Sequence, residues 1–99
     1  MSSKILVVDD EPDVESLIIR SFRNKIKQKE LDFIFARNGI EALEILSEGV
    51  NIDIVLTDIN MPLMNGLTLL DNLRVFYPDI KAVIVSAYDD LDKIRSAMN

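Results

Sequence analysis

The chain has 99 residues, of which 48% are hydrophobic, and carries 17 acidic against 11 basic side chains for a net charge of −6. That size and apolar share suit one small domain with a real core rather than a disordered tail; no apolar run is long enough to span a bilayer, and an acidic domain of this kind is a poor nucleic-acid binder on its own. With no cysteine and no histidine, disulfides, thiolate chemistry, structural zinc and any imidazole base are excluded, and a bound metal must take oxygen ligands, which points to Mg²⁺, Ca²⁺ or Mn²⁺.

The first element is Lys4–Val8, a continuous β-branched-rich run that ends in acids. It reads as a strand buried on both faces rather than a secretory segment. Asp9-Asp10-Glu11-Pro12 follows as a helix entry, with acids at the positive end of the dipole and proline near the first turn. Val14, Leu17, Ile18, Phe22 and Ile26 recur at helical spacing, so one amphipathic helix is expected, ending near Lys29. Its end is basic: Arg20, Arg23, Lys25, Lys27 and Lys29 place five of the eleven bases within ten residues. A solvated helix end with cations near the C-terminal dipole explains this stretch; a docking patch for an acidic partner is the alternative.

Leu31–Ala36 reads as the second strand and Asn38-Gly39 breaks it. Ile40, Leu43 and Leu46 mark a short second helix closed by Gly49, and 52–57 is the third strand, ended by Asp58. Leu67, Leu70, Leu73 and Phe76 lie along a third helix stopped by Pro78. Lys81–Ser86 is the fourth strand, and Leu91, Ile94, Arg95 and Met98 begin a fourth helix. No internal repeat or linker interrupts this order.

The alternation βαβαβαβα with doubly buried strands predicts an α/β fold, a doubly wound parallel sheet with helices on both faces. In that class, ligands sit beyond the carboxyl ends of the strands where strand order reverses. Three of the four strands end there in oxygen-bearing side chains: Asp9 and Asp10, Asp58, and Ser86. If the first and third strands are neighbours, three carboxylates converge. At about 5 Å and an effective dielectric of about 20, each pair costs roughly 3 kcal/mol. A cation or a shared proton resolves such crowding. Asp9 and Asp10 are also ordinary helix caps, and Asp58 and Ser86 ordinary turn residues, when each is taken singly.

Val7-Val8-Asp9-Asp10-Glu11-Pro12, then Thr57-Asp58-Ile59-Asn60-Met61-Pro62-Leu63-Met64-Asn65-Gly66, then Val85-Ser86-Ala87 resembles the receiver domain of bacterial two-component response regulators. The middle motif, D-x-x-M-P-x-x-x-G, is highly specific, and the resemblance runs over the whole chain. It implies a flavodoxin-like receiver fold and a switch more than an enzyme, acting in the cytoplasm with Mg²⁺. Asp58 is implied as the acceptor of a phosphoryl group from a sensor histidine kinase or a phosphotransfer protein. Asp10 and Asp58 would ligate Mg²⁺ directly, Asp9 largely through water, and Asn60 through its backbone carbonyl. Ser86 would bond the phosphoryl oxygen through its hydroxyl, aided by the amides of Ile59 and Ala87. Asn60 and Tyr88 lie where family members tune the lifetime of the acyl phosphate, and Pro62 and Gly66 would shape the loop.

The family also carries a fifth strand, with a phosphoryl-contacting lysine, and a fifth helix. Neither is matched by residues 1–99, and Lys81 and Lys93 lie in the wrong elements. The expectation is a receiver domain truncated at its C-terminus, with the fourth strand left as an edge and a homodimer as one outcome. The downstream effector is unreadable, and no nucleic-acid or membrane partner is expected through this domain. The rival readings are a phosphorylation-independent interaction module, a phosphohydrolase of the haloacid dehalogenase type, and a flavodoxin-like FMN binder. The second fits Asp9-x-Glu11 only loosely and leaves Asp58 unexplained. The third sets acids where a phosphate would have to sit.

Overall fold

The computed structural model describes residues 3–58 and 63–85. The elements run β1 (Ser3–Val8), α1 (Pro12–Ser21), α2 (Arg23–Lys27), β2 (Leu31–Ala36), α3 (Gly39–Ser47), β3 (Ile54–Thr57), α4 (Gly66–Phe76) and β4 (Lys81–Ile84). The expectations on Ile59, Asn60, Pro62, Ser86, Ala87, Tyr88 and the last helix lie outside the described residues.

The four strands form one sheet in the order β2-β1-β3-β4, and every pair is parallel. This is the doubly wound parallel sheet that the alternation predicts. Strand β1 is central, and its side chains point alternately to two cores. Ile5 and Val7 pack with Val14, Ile18, Phe22, Leu31 and Leu56 on the α1 side. Leu6 and Val8 pack with Ala42, Leu46, Val55, Leu69 and Leu73 on the α3/α4 side. A strand with both faces covered has no polar face, which is why it reads as an unbroken apolar run.

Several boundaries differ from the sequence expectation. The single long first helix is two, broken at Phe22, whose φ of −110° and ψ of 19° leave the helical region. The hydrogen-bond ladder nearly survives: Phe22 N–H donates to Ile18 O at 3.0 Å, and Ile26 N–H to Phe22 O at 3.0 Å. The break seats the Phe22 ring in the core, 5.4 Å from the ring of Phe33. In the basic stretch, Lys25 pairs with Glu30 at 3.3 Å, while Arg20, Arg23, Lys27 and Lys29 are exposed.

The later helices bury only part of the expected stripes, with Leu43 and Leu70 packed at the edge of the core. In α3, Ala42 and Leu46 are buried and Ile40 is exposed. In α4, Leu69 and Leu73 are buried, whereas Leu67 and Phe76 face outward. Strand β3 begins two residues late because Asp53 takes over part of the ladder. Its carboxylate accepts the Lys4 N–H at 2.8 Å, while its own N–H donates to Lys4 O at 2.9 Å.

Candidate functional site

The order β2-β1-β3-β4 puts the reversal of strand order between β1 and β3, because the chain leaves β1 toward β2 and later returns to its other side. A crevice at the carboxyl ends of this pair is the place where an open parallel sheet holds a ligand. The register pairs Val8 with Thr57, so Asp9 and Asp58 leave the sheet side by side. Two backbone bonds fix them there: Asp58 N–H donates to Val8 O at 3.0 Å, and Asp9 N–H to Ala36 O at 3.0 Å. The expected convergence of Asp9, Asp10 and Asp58 is therefore present. One carboxylate oxygen from each lies within 4.8 Å of the others.

Burial grades the three acids. Asp9 and Asp58 are half-buried and Asp10 is exposed. Burial pushes the pKa of Asp9 up, and the charges of Asp58, Asp10 and Glu11 add to this rise. The Glu11 N–H, which donates to Asp9 Oδ1 at 2.9 Å, opposes it. The helix-cap reading of these acids is displaced in part. The N-cap of α1 is Glu11, which makes no side-chain cap bond, with proline in the first turn. Asp9 instead ties down the step from strand to helix, and Asp10 is the exposed member of the cluster.

Thr57 is buried and donates its hydroxyl to the Asp58 carbonyl oxygen at 2.9 Å. Beyond the undescribed residues 59–62 the chain resumes at Leu63, whose φ of 69° is left-handed. Asn65 then caps α4, its side chain accepting the Thr68 N–H at 2.9 Å, so Gly66 opens the helix rather than lying in the loop. Gly39 is needed across from this loop: a Cβ there would lie 2.7–2.8 Å from the Met64 side chain. Thr57, Asn65 and the Gly39–Met64 contact were not singled out from sequence. Asn65 alone had a local signal, as a favoured N-cap residue just ahead of an apolar-periodic run. Beside the acids, a cavity of about 80 Å³ is lined by Asp9, Asp10, Glu15, Arg37 and Glu41, among others.

The donor set suits a small hard cation. Three carboxylates converge in a chain without imidazole or thiolate, and like charges this close are relieved by a divalent ion. Residues 5–99 match the response regulator receiver domain as a family. The chain belongs to that family.

Relatives and neighbours agree with this assignment. The chain is 41% identical over 88 residues to the sensor kinase CckA of Brucella abortus, covering 88% of this chain and 9% of CckA. It is 35% identical over 98 residues to the sporulation initiation phosphotransferase F of Bacillus subtilis, covering 98% of this chain and 74% of the relative. The response regulator protein TrrA of Thermotoga maritima, solved in complex with Mg(2+)-BeF, superposes with a TM-score of 0.74 at 31% identity, over 97% of this chain and 79% of that one. TrrA in complex with the histidine kinase ThkA gives a TM-score of 0.74 at 34% identity, over 87% and 70%. This receiver domain thus has the flavodoxin-like fold of its family, and none of its described helices is long and apolar enough to cross a membrane.

Proposed function

We propose that this receiver domain accepts a phosphoryl group on Asp58 from a phosphohistidine of a sensor histidine kinase or phosphotransfer protein, with Mg²⁺ as cofactor. The observation that carries the reading is the meeting of Asp9, Asp10 and Asp58 within 4.8 Å at the switch point of a receiver sheet. Asp58 is the nucleophile: one of its carboxylate oxygens bonds phosphorus as the P–N bond to the donor imidazole breaks, the bonding pair stays on that nitrogen, and the imidazole leaves neutral with the proton its other ring nitrogen already carries. A carboxylate is a weak nucleophile, so the site must act by positioning and by neutralising charge. The β1/β3 register positions Asp58. Asp9, Asp10, Asp58 and the Asn60 carbonyl would hold Mg²⁺, which when bound offsets the charge of both the carboxylate and the incoming phosphoryl group.

Ser86 is the phosphoryl reader of this proposal. It follows Val85, whose N–H donates to Thr57 O at 2.9 Å, so the chain enters Ser86 from a strand paired beside the one that delivers Asp58. Phosphorylation adds about 1.5 to 2 negative charges and new acceptor oxygens, and a hydroxyl drawn to them would bias the packing that follows β4. TrrA bound to ThkA supports a kinase as the partner class. The test is incubation with Mg²⁺ and acetyl phosphate followed by intact-mass measurement. One phosphoryl increment is expected, absent in Asp58→Asn and after chelation of the metal. No increment under any of these conditions would leave the chain a phosphorylation-independent interaction module.

A further inference from the structure

We propose that the outer face of α4 pairs two copies of this chain about a two-fold axis. Helix α4 spends Gly66, Leu69 and Leu73 on the core. The opposite face therefore carries Leu67, Asp71, Arg74 and Val75, at helical spacings of four, three and one. Leu67 is 55% exposed and Val75 70% exposed. A single exposed aliphatic residue is ordinary on a soluble domain. Two on the same stripe, flanking one acid and one base, make a surface that can match itself.

A two-fold interface is isologous: if one residue meets another across it, the reciprocal contact follows. Antiparallel pairing of α4 with its copy, centred between Asp71 and Arg74, sets Asp71 against the partner's Arg74 and Arg74 against the partner's Asp71. The same centring brings Leu67 of each copy beside the turn of Val75 and Pro78 in the other. The charges are available: among the described residues, Asp71 and Arg74 make no ion pair, and the pair present is Lys25–Glu30. Charge complementarity thus selects a second copy of this chain as the occupant. One helix per copy buries on the order of 1,000 Å² in total, at the low end for specific association, so the dimer is weak, reversible and weakened further by salt.

Charge reversal tests this in the full chain, by analytical ultracentrifugation over a concentration series at low and high salt. Asp71→Arg and Arg74→Asp should each weaken self-association by at least tenfold, since like charges then face each other twice. An equimolar mixture of the two variants should associate again, because both crossed pairs become complementary, and the double variant Asp71→Arg/Arg74→Asp should dimerise like the parent. Circular dichroism verifies that the fold is kept. A parent chain that stays monomeric throughout the series overturns the proposal, as does a dimer indifferent to both reversals, which would point to the β4 edge, or a mixture that fails to associate.

Discussion

The carboxylate of Asp9 is half-buried, accepts the Glu11 N–H at 2.9 Å and faces Asp58, Asp10 and Glu11, and its pKa is raised by burial first and by those charges second. An acid whose folded-state pKa lies above its unfolded value binds more protons in the folded chain. Its favourable contribution is complete below the unfolded pKa and is lost as pH rises through the folded one. At neutral pH in chelator, Asp9 therefore works against folding. Asp9→Asn keeps a side-chain oxygen for the Glu11 N–H and removes the charge. We expect it to melt a few degrees higher than the parent at pH 7, and no more, because solvent screens a half-exposed cluster. The advantage should shrink as pH falls toward the ordinary aspartate range. Thermal melts of the two chains across pH read this out, and a variant less stable than its parent at pH 7 would mean that the carboxylate is held by something stronger than the Glu11 contact.

Helix ends and helix faces divide what the sequence declares from what it hides. The turn that closes α2 has Lys29 N–H donating to Ile26 O at 3.0 Å and Glu30 N–H donating to Lys25 O at 2.9 Å. Lys29 sits at φ 61°. This is a Schellman closure with lysine where glycine is usual, and a side chain with a Cβ is disfavoured there by about 1 kcal/mol. Lys29→Gly should raise stability by about 0.5–1 kcal/mol, measured by urea denaturation, while Lys27→Gly, in the helix itself, should lower it by a similar amount. The end near Lys29 was legible from the polar run there. The break at Phe22 was not, because helical spacing continues through it and the hydrogen bonds on either side of Phe22 persist. Strand β1 was legible because Ile5–Val8, covered on both faces, is an unbroken apolar run. The faces of α3 and α4 were legible only in part: Leu46 and Leu73 are buried and Leu43 and Leu70 pack on the same core, but Ile40, Leu67 and Phe76 are apolar and exposed, so spacing alone leaves the edge of the buried side open. Ala42 and Gly66 marked that side by smallness, a signal that a count of large apolar residues overlooks. At the site, Asp9, Asp10 and Asp58 were legible because strand ends and acid identity coincide, whereas the Thr57 hydroxyl and the Gly39–Met64 contact depend on how side chains meet across elements.

At the scale of the molecule, the acidic cluster joins parts of the chain far apart in sequence. Asp9 and Asp10 follow β1, Asp58 follows β3, and they meet only when those strands are paired. An unfolded chain has no such site, so a cation that uses all three carboxylates binds the folded state and stabilises the whole domain by linkage. The parallel sheet passes this gain to both cores, since β1 contributes alternate residues to each. Titration with MgCl₂ should raise the unfolding midpoint of the parent, the stability gain reaching about 1.4 kcal/mol at ten times the dissociation constant. Asp10→Asn, which removes the exposed carboxylate of the cluster without touching either core, should flatten the titration while leaving the metal-free midpoint equal or higher. NaCl at matched ionic strength separates binding from screening, because screening relieves the same repulsion without coordination. A shift that NaCl reproduces in full, or that persists undiminished in Asp10→Asn, would show that the three carboxylates do not act as one divalent site.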